Sequence, residues 1–251
     1  MSDHGAMRFP TTRWTLLDQA ARGDGEVRHK ALSDLLRLYV GPIRAFIIAR
    51  RGVSPDQADD IVQDFLSVKW LEQDLLSRAQ RDKGRFRSYL LTALDHFISN
   101  WFRKRRRDAP GAAAAGAAAT DTDSAAGTVE EPAAPGGRPE DQFDLVWAQQ
   151  VVQTAIERMR AECNTNGRLN VWAVFEARLL GPILGEAEPP AYAELVQRFG
   201  FQTPAQAQNL LVTAKRTFTR TLRAVILEYE GAESDVDAEI RDLQEILARP
   251  R

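Results

Sequence analysis

One cysteine, Cys163, stands alone among 251 residues. A lone thiol excludes an internal disulfide framework and any zinc site built on cysteine pairs, and it fits a reducing cytoplasm. Histidine is nearly as scarce: His4, His29 and His96 are scattered, so neither a metal centre nor a catalytic triad is expected from them. No run of about 18 apolar residues occurs, so no membrane span and no membrane partner are expected. The opening MSDHGAMRFPTTRW carries no apolar core of signal-peptide length. Strand patterning is almost missing too, whereas apolar residues recur at three-to-four spacing throughout. An excess of either charge is also lacking, with 33 Lys and Arg against 35 Asp and Glu. Any attraction to nucleic acid must therefore be local. These absences leave an all-α, soluble, intracellular chain with no cofactor as the expectation.

What the chain does have is segregated charge. Between 54 and 77 stand six acids (Asp56, Asp59, Asp60, Asp64, Glu72, Asp74) against Lys69 alone. Between 78 and 107 stand ten Arg and Lys against Asp82 and Asp95, interleaved with Phe86, Tyr89, Phe97, Trp101 and Phe102. Neighbouring acidic and basic-aromatic helices suggest one surface for a protein partner and another for nucleic acid.

Periodicity places the elements. Leu32, Leu35, Leu36, Tyr39, Ile43, Phe46 and Ile47 give one helical face over 31–51, which Pro42 should kink or split and Gly52 should stop. Ser54, with Pro55 at the first helical position and Gln57 three residues on, forms a capping box for the next helix. That helix turns Ala58, Ile61, Val62, Phe65 and Val68 inward, and sets Asp60, Gln63, Asp64 and Ser67 on one outward stripe. Lys83 and Gly84 read as a turn before a long helix over about 86–106. Residues 108–140 are mostly Ala, Gly, Pro, Thr and Asp; they cannot bury enough apolar area to offset ordering, so a flexible linker is expected. A second domain over 141–231 opens with Phe143, Val146, Trp147, Val151, Ala155, Ile156 and Met159 at helical spacing, then breaks at NTNG (164–167). The tail, 232–251, is acidic with a narrow stripe of Ile240, Leu243 and Leu247.

Within the second domain, Tyr192, Leu195, Val196 and Phe199 form a short helix that Gly200 should end. Thr203 and Gln206 form another capping box that opens a longer helix. A short helix, a glycine turn and a longer helix make helix-turn-helix spacing. Ala207, Leu210, Leu211, Ala214 and Phe218 face in, while Gln206, Asn209, Thr213, Arg216 and Arg220 face out. Gln and Asn suit adenine edges, and Lys215, Arg216 and Arg220 suit phosphates.

In this order, ADDIVQDF, GRFRSYLLTAL…NWFRKRRR, a linker and a helix-turn-helix, the chain over about 12–230 resembles bacterial sigma factors of the extracytoplasmic-function (ECF) group. FPTTRWTLL and VWAVFEARLLGPIL look like a long branch of it. The resemblance implies a region-two-like bundle over 12–107 and a region-four-like domain over 141–231. It implies core RNA polymerase (β′ clamp helices and β flap) and promoter DNA, duplex and melted, as partners, and leaves room for an anti-sigma factor or a kinase as regulator. Asp60, Gln63 and Asp64, with Asp56 and Asp59 beside them, match the polymerase-docking helix. Arg85, Arg87, Tyr89, His96, Asn100, Trp101, Arg103, Lys104, Arg105 and Arg106 fall in the element that melts and reads the minus-ten region. Gln208, Asn209, Val212 and Thr213 fall where minus-thirty-five bases are read, flanked on phosphate by Gln206, Lys215 and Arg216, with Thr203 and Arg220 in the same DNA-binding region. Gln208 and Thr213 replace cations common at those positions, and His96 stands where relatives often have Asn, so promoter preference is expected to differ.

Other readings stay open. The acidic stripe is also what a solvated helix face looks like. A divalent-metal nuclease would need ligands converging from other elements, which the sequence does not offer. The tail would serve as packing or as an autoinhibitory helix. A stand-alone helix-turn-helix regulator, binding DNA without polymerase, is the main rival, and a sigma-like protein that has lost promoter activity is another.

Overall fold

The computed structural model describes residues 15–72, 75–78, 86–108, 137–183, 185, 188–230 and 233–249. Every element among them is helical, and no strand occurs among the described residues, so the chain is all-α. None of these helices is long and apolar enough to cross a membrane. Two compact units form: the first comprises the described residues up to Ala148 together with 243–249, and the second is Gln149–Asp242.

The first unit begins with α1 (Thr15–Arg22) and α2 (Gly25–Arg51). One helix runs through Pro42, whose ring is buried, and it starts six residues before the apolar face begins. Gly52 ends it at φ 60°, with its N–H donating to the Ile48 carbonyl at 2.8 Å. α3 (Pro55–Phe65) starts where the capping pattern places it: the Ser54 hydroxyl accepts from the Gln57 amide at 3.3 Å. It continues as a π-helical segment, Leu66–Glu72, and is followed by the single turn α4 (Leu75–Arg78) and the long α5 (Phe86–Asp108). The core uses the predicted stripes of α2 and α3, together with a face of α5. Leu35, Tyr39, Ile43 and Ile47 of α2, Ala58, Ile61 and Phe65 of α3, and Phe86, Leu90, Leu94 and Ile98 of α5 are buried. Edge-on aromatic pairs tie the elements: Tyr39 meets Phe86 at 5.3 Å and Phe65 meets Phe97 at 5.3 Å.

The expected linker, 108–140, lies largely outside the described residues, as does the expected turn at Lys83 and Gly84. Pro139 and Glu140, at the end of that linker stretch, belong to α6 (Pro139–Thr165). Phe143 and Trp147 of α6 are buried in the first unit, and a Cβ on Gly41 of α2 would stand 3.4 Å from Val146. The boundary between units therefore falls inside α6, after Ala148, and not at the start of that helix.

In the second unit, the remainder of α6 is followed by α7 (Leu169–Phe175), a π-helical segment Glu176–Leu180, the three-residue α8 (Gly181–Ile183), α9 (Tyr192–Phe199) and α10 (Pro204–Glu230). Met159, Cys163, Trp172, Phe175 and Ala214 make one apolar cluster. Val174, Leu195, Ala207 and Leu211 make a second, which fixes α9 against α10. The tail forms α11 (Glu233–Ala248). Its buried positions are Val236, Glu239, Leu243 and Ile246, whereas Leu247 of the expected stripe is 40% exposed.

Candidate nucleic-acid interfaces

Asp56, Asp59, Asp60, Gln63 and Asp64 are all exposed on α3. Two of them are already engaged inside the first unit. Arg44 of α2 donates to Asp59 from Nε at 2.6 Å and from Nη2 at 3.4 Å. The hydrogen bond to Asp59, with added attraction from Asp56, raises the Arg44 pKa above its ordinary value. Asp64 accepts the Trp101 indole N–H at 2.8 Å. Asp60 and Gln63 stand outward beside them, as the stripe predicts.

On α5 the expected residues separate into two sets. His96 and Asn100 are exposed one turn apart, and Arg103, Lys104, Arg105, Arg106 and Arg107 follow, all exposed. A helix repeats every 3.6 residues, so His96, Asn100, Arg103 and Arg107 share one face. Trp101 and Phe102 are half-buried and meet edge-on at 5.0 Å. Arg105 lies 4.8 Å from the Trp101 ring centroid, and Arg51, the last residue of α2, lies 5.2 Å from that of Phe102. The other set is turned inward. Arg87, expected on the nucleic-acid face, is instead buried, with its guanidinium 4.2 Å from the Trp147 centroid and 3.4 Å from the Asp144 carboxylate. The indole and the carboxylate replace the water that burial removes from the cation. Tyr89 is half-buried against Phe86, with its hydroxyl 3.4 Å from the Leu75 carbonyl. Arg85 lies outside the described residues.

The second unit carries a helix-turn-helix of the expected form. Gly200 adopts φ 70°, and both its N–H and that of Phe201 return to the Val196 carbonyl. That left-handed cap is open to glycine without strain. Phe199 and Phe201 pack together across the turn at 5.7 Å. The Thr203 hydroxyl accepts from the Gln206 amide at 3.2 Å, and the Gln206 carboxamide oxygen accepts from the Gln202 amide at 2.8 Å. Gln206 therefore braces the turn. Thr203, Gln206, Gln208, Asn209, Val212, Thr213, Lys215, Arg216 and Arg220 are all exposed along α10, and the Thr213 hydroxyl donates to the Asn209 carbonyl at 3.0 Å. Arg220 is paired with Glu162 of α6, while Lys215 and Arg216 stand outward one turn earlier on α10.

Comparison with family models, curated proteins and solved structures finds no match.

Four participants escaped the sequence reading: Arg44, Arg51, Asp144 and the contact of Trp147 with Arg87. Each acts through a partner far along the chain, and periodicity reports only which face of its own helix a residue occupies. Arg178 is a fifth. It donates to the Pro189 and Pro190 carbonyls and lies 4.5 Å from the Tyr192 ring centroid, fixing the chain as it enters α9. The two prolines, which cannot be satisfied as helix, were the available signal.

Proposed function

We propose that the chain is a transcription initiation factor similar to ECF sigma factors, which binds core RNA polymerase, directs it to a class of promoters and assists opening. The observation that carries this reading is the pairing of faces within the first unit. An acidic stripe on α3 and a basic, aromatic end of α5 meet at the Asp64–Trp101 hydrogen bond. A regulator that only docks on duplex DNA has no use for either face.

In this mechanism Asp56, Asp60, Gln63 and Asp64 dock on the β′ clamp helices, with Asp59 set by Arg44. The α10 face fixes register on the upstream element: Gln208, Asn209, Val212 and Thr213 meet base edges, and Lys215 and Arg216 hold phosphates. Downstream, the 103–107 cations hold a strand while Trp101 stacks on an unpaired base, a contact of about 1–3 kcal/mol that duplex cannot offer. His96 and Asn100 supply polar edges to read a captured base. Arg87 acts from within, by holding 139–148 to α5. The proposed factor works in the cytoplasm and needs no cofactor.

Run-off transcription with purified core polymerase and a promoter library tests the reading. Specific transcripts are expected only when the protein is added. A protein that binds duplex promoters but neither associates with core nor supports transcripts would be a stand-alone regulator.

A further inference from the structure

Asp64 stands where the acidic and aromatic faces join. Its Oδ2 accepts the Trp101 Nε1–H at 2.8 Å. An indole has one polar atom, so fixing that atom while Phe102 meets the ring edge-on defines the ring plane. Arg105 from α5 lies over the same ring. Arg51 anchors Phe102 from α2 and donates to Ser99 at 3.4 Å. Three helices thus hold one half-exposed aromatic group at the root of a run of five cations.

We infer that Asp64 is a positioning residue for base capture, holding Trp101 in the orientation in which an unpaired base stacks on it. The inference rests on reading α5 as a single-strand binder, and it gives Asp64 a task separate from polymerase docking. A ring oriented beforehand gives up less rotamer freedom when the base arrives, so the complex is tighter than the ring area alone provides. The two tasks differ in chemistry. Docking uses the carboxylate charge, whereas Trp101 needs only an oxygen acceptor, which Asn also offers.

The sign of one substitution separates this from plain electrostatics. Asp64 is a negative charge beside a nucleic-acid surface, so its removal alone would strengthen DNA binding. The positioning role requires the opposite. The test uses the full chain without polymerase and a single-stranded oligonucleotide carrying 2-aminopurine, whose quenching reports stacking. Asp64→Ala is expected to bind about fivefold more weakly and to lose quenching, with its melting temperature held within a few degrees. Asp64→Asn is expected to restore both affinity and quenching. Trp101→Phe, which removes the donor, should match Asp64→Ala, and the double variant should be no worse than either single one. In two-dimensional amide spectra the indole N–H signal that Trp101→Phe deletes should move upfield in Asp64→Ala and return towards its place in Asp64→Asn. Unchanged or tighter binding by Asp64→Ala, with Trp101→Ala still weakened, would overturn the inference and leave the reading of α5 standing. Equal loss in Asp64→Ala and Asp64→Asn would overturn it too, because an oxygen acceptor for the indole N–H would then not be enough. Wild-type binding no tighter than that of Trp101→Ala would overturn both.

Discussion

Arg87 shows how one residue can be read correctly as a cation and still be assigned to the wrong side of its helix. It stands in a run of bases and aromatics, yet its guanidinium is enclosed by Trp147 and Asp144. Asp144 is partly exposed and can be hydrated once Arg87 is gone. Arg87→Ala therefore loses mainly the ring contact and a partly screened pair, and is expected to lower the stability of the first unit by about 1–2 kcal/mol in denaturant melts. Arg87→Lys should recover little of it, because a compact ammonium cannot stack flat on the indole. A DNA-facing Arg87 would instead leave stability unchanged and weaken single-strand binding. Cys163 offers a second residue-scale test. Burial, then the neighbouring charge of Glu162, pushes its thiol pKa up. The unfolded chain therefore ionises first as pH rises. The contribution to stability is complete below the ordinary thiol value of about 8.5 and is lost as pH climbs through the raised folded value. Unfolding free energy should fall over that alkaline window, and Cys163→Ala should remove this part of the decline.

At the scale of elements, caps and stripes were legible because they are local. Ser54 and Thr203 accept from the amides three residues on, as their spacing predicts, and the outward faces of α3 and α10 are the predicted ones. The helix-turn-helix was legible for the same reason, since Gly200 and the apolar set Leu195, Ala207 and Leu211 determine it within a few turns. Gly200→Ala tests that dependence. Its Cβ meets no atom within 4 Å, so the penalty is the left-handed backbone alone, about 1 kcal/mol. Melting should fall accordingly, and duplex binding should weaken with it if the turn aims α10. What stayed illegible is tertiary. That 139–148 packs with the first unit depends on Trp147 meeting Arg87 of α5 and Val146 approaching Gly41 of α2, partners far along the chain that periodicity does not report. The tail's stripe was displaced because Val236 and Ile246 are buried while Leu247 is exposed.

For the molecule as a whole, a net charge of −2 removes any general attraction to nucleic acid, so the salt dependence of binding counts local contacts. Two of the outward cations on α10, Lys215 and Arg216, stand clear of the Glu162 pair that holds Arg220. The slope of log affinity against log salt for duplex DNA should then be about −2, given roughly 0.9 per phosphate neutralised. Arg216→Ala should reduce its magnitude by about one, uniformly across sequences. Glu162→Gln should do the reverse, because releasing Arg220 adds a phosphate contact. In the proposed function single strands meet a different surface, the five exposed cations over 103–107. At roughly 0.7 per contact their slope should approach −3.5, steeper than for duplex although each contact releases less counterion. Anisotropy titrations over a salt series on both substrates measure the two slopes in one protein. A duplex slope steeper than the single-strand slope would mean that 103–107 faces duplex phosphates, and the division of labour between α5 and α10 would have to be reversed.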